Sequence, residues 1–259
     1  MLYHNSSGSS RQAILLIHGF CENHTCFNTL VQLLSKEYRV VCPDLPSFGN
    51  SDVVNNISME MMADKVKELL DALHIKQCVM MGHSMGGYVS LSFAQKYPQY
   101  LKGMGLLHST ALSDNIDRIE KRKQVISFIE KNGKDLYIDN FIPTLFKDIE
   151  LNKDLCKFLI SEAKKCSQNG IIEAIKAMML RNDNIHVLKE FMNPLFFAIG
   201  KYDLLIPEND MLKQASLCIQ SEICYLSQSA HCGMLEEPYK LSEAILKYCN
   251  RIFANPNLE

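Results

Sequence analysis

Six short, mostly apolar runs punctuate the chain, and they constrain its fold more than any other feature. They read "AILLI" (Ala13 to Ile17), "YRVVC" (Tyr38 to Cys42), "QCVMM" (Gln77 to Met81), "GMGLL" (Gly103 to Leu107), "PLFFAIG" (Pro194 to Gly200) and "EICYL" (Glu222 to Leu226). Their apolar residues do not alternate with polar ones. Strands of that kind are buried on both faces, as in a parallel sheet covered by helices. The segments between them carry helical signals. One helix is expected from about His24 to Lys36. Another is capped by Ser58 and places Met62, Val66, Leu69, Leu70 and Leu73 on one face. A third follows Met81 and runs to about Tyr97, and a last one spans about Pro238 to Ile252. Alternation of this kind predicts an α/β fold with a doubly wound, mostly parallel sheet of about seven strands.

The rhythm breaks once. From about Ser109 to Met192 no strand pattern recurs, and amphipathic, charged stretches such as "IEKRKQVISFIEKNG", "KDLCKFLISEAKKC" and "GIIEAIKAMML" take over. Residues 109–192 therefore read as a helical cap inserted into a core made of 1–108 and 193–259. Only about twelve residues precede the first apolar run. The N-terminal sheet edge should be shortened, with one strand near Leu2 to His4.

Charge and cysteine content narrow the function classes. The 27 basic and 29 acidic residues leave a net charge of −2. No field of that size attracts nucleic acid or an anionic membrane. The ten cysteines are irregularly spaced, and the start "MLYHNSSGSSRQ" lacks the charged-then-apolar order of a signal peptide. Reduced, mostly buried thiols in a cytoplasmic protein are the expectation. No apolar run approaches the roughly 18 residues that would suggest a membrane span. Asn-x-Ser/Thr sequons at Asn5, Asn23 and Asn56 carry no weight without a leader.

Ligands of such sheets bind beyond the carboxyl ends of the strands. The residues that follow the runs are "HGF", "PDLPSFGNSD", "GHSMGG", "HST", "GKYDLLIP" and "SQSAHCGMLEEP". Here the chain resembles the α/β-hydrolase fold superfamily, and most of all its capped, esterase-like branch. That resemblance places the cap after the sixth strand of the family fold. Gly82-His83-Ser84-Met85-Gly86 is similar to the Gly-x-Ser-x-Gly nucleophile elbow, where glycines clear space around a strained serine. Ser84 is then the nucleophile. The family's chain order of serine, acid, histidine is met by Ser84, Asp203 and His231. His231 would move the serine proton, and Asp203 would fix the imidazole tautomer. Asp203 lies in a Gly-x-x-Asp-x-x-x-Pro loop made by Gly200, Asp203 and Pro207. Asp114, in "HSTALSD", occupies the other stretch where some members place the acid, but lies too far along it. By family position the backbone N–H groups of Phe20 and Met85 form the oxyanion hole. The loop "DLPSFGNS" matches a structural family motif except that Ser47 replaces its first glycine.

The remaining candidates are weaker. His18 should hold the "HG" turn, and His83 should point away from Ser84. His108 ends a strand and is expected at the pocket, with an apolar wall from Phe141, Leu145 and Phe146, although plain core packing serves those three equally well. Arg122 and Arg181 could meet an acidic substrate group, but each reads better as part of a solvated helix face. No His, Cys or Asp cluster has metal-ligand spacing, so neither metal nor cofactor is expected. A serine at the elbow argues against dehalogenase and epoxide hydrolase chemistry. No Gly-x-Gly-x-x-Gly follows the first strand, and no phosphate-binding Gly-x-x-x-x-Gly-Lys-Ser/Thr occurs. The implied activity is hydrolysis of a small-molecule carboxylic ester through an acyl-enzyme. The same residues would also suit carbon–carbon bond hydrolysis, perhydrolysis, lyase chemistry or a small-molecule receptor.

Overall fold

The structure is a computed structural model that describes residues 1–254 of the 259-residue chain. Seven strands form one sheet: β1 (His4–Ser7), β2 (Ala13–Ile17), β3 (Arg39–Pro43), β4 (Cys78–His83), β5 (Leu101–Leu107), β6 (Leu195–Gly200) and β7 (Ser221–Leu226). Their order is β1-β3-β2-β4-β5-β6-β7, with β1 antiparallel to β3 and every other pair parallel. Every residue of β2, β4 and β6 is buried, as expected of runs without alternation. The edge strand β1 falls at His4–Ser7 rather than Leu2 to His4. Its register places His4 opposite Pro43, and the Asp44 N–H, which donates to the Tyr3 carbonyl at 2.8 Å, continues that register just ahead of the strand.

Eleven α-helices are described. The first is α1 (Asn28–Leu34), preceded by a 3₁₀ turn at His24–Phe27 that the Asn23 side chain caps. The expected His24 to Lys36 helix is thus part 3₁₀ and ends two residues early. Next come α2 (Met59–Ala72) and α3 (Met85–Lys96). In α2 the Ser58 hydroxyl accepts from the Met61 N–H, and Met62, Val66, Leu69 and Leu70 are buried together. Five helices then lie between β5 and β6: α4 (Ile116–Asn132), α5 (Lys134–Phe141), α6 (Lys153–Ala163), α7 (Gln168–Leu180) and α8 (Ile185–Glu190). In this group α4 packs against both α5 and α7. The chain finishes through α9 (Glu208–Ala215), α10 (Gly233–Glu236) and α11 (Pro238–Ala254).

The winding direction reverses between β2 and β4. From β2 the chain crosses to β3 on one side, and its next strand, β4, returns to the other side of β2. A crevice opens at such a switch point, beyond the carboxyl ends of the two strands. The residues at those ends are His18-Gly19-Phe20 and His83-Ser84-Met85. Packing there is tight. A Cβ on Gly86 would strike the Ile17 carbonyl, and one on Gly82 would strike the Gly86 carbonyl. Gly86 thus lets the start of α3 lie directly against β2, and Gly82 lets it lie against β4.

Candidate active site

Ser84 sits between β4 and α3 at φ 49° and ψ −116°. Non-glycine residues rarely enter this region, and holding one there costs about 1–3 kcal/mol. Three hydrogen bonds over-determine the turn. The Ser84 N–H donates to the Leu107 carbonyl at 2.9 Å, and the Ser84 carbonyl accepts from the Gly87 N–H at 2.9 Å and the Ser109 hydroxyl at 2.7 Å. At this turn Ser84 is partly exposed although its neighbours on both sides are buried. Met85 opens α3, so its N–H is one of the groups that lack an intrahelical acceptor.

Asp203 follows β6 and is engaged on both oxygens. Oδ1 accepts from the Leu205 and Ile206 N–H groups, each at 2.9 Å, while Oδ2 accepts from His231 Nδ1 at 2.8 Å and His108 Nδ1 at 3.3 Å. Burial alone would raise this carboxyl's pKa. The His231 charge and the hydrogen bonds from His108 and His231 outweigh it and hold the group well below the usual carboxylate range. His231 is fixed by its backbone as well as its ring. Its N–H donates to the Leu145 carbonyl at 3.0 Å, and its own carbonyl accepts from His83 Nε2 at 2.9 Å.

His108 does not line the pocket. It lies wholly buried behind Asp203, and its backbone takes a left-handed φ of 48° that turns the ring beneath the β6 end. Burial pushes its pKa down to about 4 despite the Asp203 contact, so the ring is neutral at physiological pH, and Nε2 has no partner. The ligand-capable atoms of His108, Asp203 and His231 all lie within 4.8 Å of one another. Sequence spacing could not show this grouping, because the three come from separate strand ends.

Glu22 and His83 form a buried pair that the sequence reading missed. Glu22 Oε2 accepts from the Gly19 N–H at 2.7 Å and from His83 Nδ1 at 2.9 Å. Both ring nitrogens of His83 face acceptors, the Glu22 carboxylate and the His231 carbonyl. Only the imidazolium supplies two N–H donors there. The pKa directions agree. Burial works against each charge, but the partner's charge wins, so His83 is raised and Glu22 lowered. The pair ties the turn before Phe20 to the backbone of His231.

The other sequence candidates divide. Phe20, Phe141 and Leu145 line a pocket of about 790 Å³, open to solvent, with Ser84 and His231. Phe20 packs 6.0 Å from Phe141, and Phe141 stacks on Tyr137 at 5.3 Å between ring centroids. Phe146 is buried, but outside that lining, because a 3₁₀ turn at Ile142–Leu145 points its neighbour Leu145 inward instead. Arg181 is not on a solvated face. It is buried, lies 4.1 Å over the Tyr88 ring and is 2.8 Å from Asp114. Asp114 is thereby committed to arginines and is not bonded to His231; Arg122 is its second partner, at 2.6 Å. His18 holds its turn as expected, with Nδ1 donating to the Gly19 carbonyl at 2.8 Å and Nε2 accepting from the Leu45 N–H at 2.9 Å. Ser47 adopts φ 71°, which explains why a glycine suits that position, and its hydroxyl accepts from the Val54 N–H at 2.9 Å.

All ten cysteines carry free thiols, and all but Cys218 are buried. Among the described residues no helix is long and apolar enough to cross a membrane.

Comparison with known proteins agrees with the fold. The sequence profile of the alpha/beta hydrolase fold family matches residues 12–238. A putative carbamate hydrolase, RutD, from Agrobacterium fabrum is 24% identical over 252 residues, covering 95% of each chain. A thermophilic esterase from Thermogutta terrifontis, solved with malate bound, superposes with a TM-score of 0.92 at 27% identity, covering 97% of this chain and 93% of its own. An esterase from Exiguobacterium antarcticum shares the fold at a TM-score of 0.88 and 20% identity, covering 96% of this chain and 95% of its own. With a seven-stranded, switch-point sheet that carries a strained serine turn, and with a family profile matched along most of its length, the chain belongs to the alpha/beta hydrolase fold family.

Proposed function

We propose that the protein is a serine hydrolase that cleaves a carboxylic ester of a small molecule through an acyl-enzyme. One observation carries the reading: a strained Ser84 opens on the same pocket as His231, whose Nδ1 is bonded at 2.8 Å to a buried Asp203 carboxylate. The Asp203 acceptor keeps the Nδ1 proton in place and leaves Nε2 free to act as base toward the Ser84 hydroxyl. Ser84 Oγ attacks the ester carbonyl, its proton passes to Nε2, and the oxyanion takes hydrogen bonds from the N–H groups of Phe20 and Met85. Collapse breaks the bond to the leaving alkoxide, which receives the proton from His231. Water then attacks the acyl-Ser84 carbonyl with the same proton relay and regenerates the serine. Residues 109–192 act as a cap on a core of 1–108 and 193–259, and Phe141 and Leu145 supply apolar wall to the acyl group. The ten free thiols suit a reducing compartment such as the cytoplasm.

The test is hydrolysis of p-nitrophenyl acetate and butyrate by wild type and Ser84→Ala. Loss of the nucleophile should lower kcat by about 10³-fold or more. Equal rates in folded samples overturn the reading. The carbamate-hydrolase relative motivates a p-nitrophenyl carbamate in the same panel. A vinylogous diketone tests carbon–carbon hydrolysis on the same residues.

A further inference from the structure

We infer that the Ser84 pocket selects esters carrying a negative charge at the end remote from the scissile carbonyl, a carboxylate-terminated acyl chain above all. The inference rests on the serine hydrolase reading and names its substrate class. Arg118, Lys121, Arg122 and Val125 fall on α4 at relative positions 0, 3, 4 and 7, which form one helix face, and all four line the pocket. Three of the four are cations.

The acids nearby do not balance them. Glu22, the one carboxylate in the lining, is committed to His83 and the Gly19 N–H. Asp114, just ahead of the α4 N-cap, has a fully buried side chain and is not part of the pocket lining. It is shared among Arg122 at 2.6 Å, Arg181 at 2.8 Å and Arg118 at 3.7 Å. Arg118 also donates to the Leu205 carbonyl at 2.6 Å. On the same helix, Glu120 is paired with Lys123 at 2.7 Å, and the exposed Asp117 stands outside the pocket lining. Asp183 and Asp210 line a neighbouring groove with Asp114 and Arg118, and neither lines the Ser84 pocket. The pocket side of α4 is therefore left with cations in excess. The Arg118 and Arg122 side chains are only 33% and 17% exposed, which limits screening by solvent. A cleft lined by one sign of charge and walled by apolar groups concentrates counter-ions of the other sign. Phe141, Leu145 and Val125 offer a path for a short methylene chain in the same pocket.

The test compares mono-p-nitrophenyl glutarate with the neutral p-nitrophenyl pentanoate, esters of equal acyl length. For wild type, kcat/KM should favour the glutarate by about ten-fold or more at low salt, and the preference should shrink as salt is raised. Lys121→Glu reverses a charge at an exposed helix position and should lower that ratio by about five-fold or more, with Arg118→Gln acting in the same direction. A wild-type preference for the neutral ester, or a ratio untouched by Lys121→Glu, overturns the inference while leaving the hydrolase reading intact. If neither ester is turned over, the hydrolase reading fails, and the subsite is judged by calorimetry with glutarate against neutral glutaramide. Tighter glutarate binding by wild type than by Lys121→Glu upholds the subsite. Equal or absent binding overturns it.

Discussion

Glu22→Gln should destabilise the protein far more than an ordinary polar substitution. The side chain is buried, and one of its oxygens accepts both the Gly19 N–H at 2.7 Å and His83 Nδ1 at 2.9 Å. Glutamine keeps the shape and one acceptor but removes the charge that keeps His83 doubly protonated. His83 must then stay as an uncompensated buried cation or lose a proton. If it loses the Nε2 proton, a bare nitrogen faces the His231 carbonyl. If it loses the Nδ1 proton, residue 22 can meet the bare nitrogen only by turning its amide N–H₂ to it, which leaves the Gly19 N–H without its acceptor. Breaking a buried pair by removing one partner costs about 3–5 kcal/mol. For a chain of this size that corresponds to a Tm lower by roughly 6–20 °C. The pH dependence gives a second reading. His83 is raised above its ordinary 6.5, so its contribution is complete below pH 6.5 and is lost as pH rises through the folded value. Glu22 is lowered from 4.5, so its contribution is present above pH 4.5 and is lost as pH falls through the folded value. Urea denaturation of wild type, Glu22→Gln, His83→Gln and the double variant from pH 5 to 9 separates these effects. The double variant should be markedly less destabilised than the sum of the singles, because it leaves no lone charge. A loss below about 1 kcal/mol for Glu22→Gln, or simple additivity, refutes the ion-pair assignment.

Asp203→Asn presents an amide where His231 and His108 both need an acceptor; kcat should fall by about 10⁴-fold with the fold retained, read by ester hydrolysis and circular dichroism. Gly86→Ala drives a methyl into the Ile17 carbonyl and should cost about 1–3 kcal/mol or more in urea denaturation, with activity lost in step as the Phe20 turn moves from Ser84. His108 is depressed from 6.5 to about 4, so the unfolded chain binds its proton first and stability falls as pH drops from 6.5 toward 4. His108→Asn, whose side chain tolerates the left-handed backbone, should flatten that acid limb in denaturation measured between pH 4 and 7.

The sheet was legible because burial on both faces leaves a direct trace in composition: β2 and β4 read as apolar runs to within two residues of their observed bounds. The glycine-flanked turn at Ser84 was legible for a related reason. A strained turn wedged against β2 admits only glycine at 82 and 86, and that requirement is written locally. What stayed hidden depends on side chains that meet across the fold. Glu22 and His83 are 61 residues apart, and Glu22 belongs to no motif pattern. His108 was expected at the pocket from its place at a strand end, but a left-handed φ turns it under Asp203. Helix periodicity puts Arg181 on a solvated face because it says nothing of the residue's partners, Asp114 and Tyr88. The β1 bounds differ from the local pattern because the strand exists only by pairing with β3, His4 opposite Pro43 through Ser7 opposite Val40, a contact between distant segments.

The proposed mechanism makes Ser84 a nucleophile activated by His231. Intact-protein mass spectrometry after exposure to a fluorophosphonate, followed by peptide mapping, tests it most directly. One adduct per chain on the peptide containing Ser84, absent from Ser84→Ala and formed far more slowly by His231→Ala, is the expected result. No adduct on folded wild type, or labelling that persists in Ser84→Ala, contradicts the account.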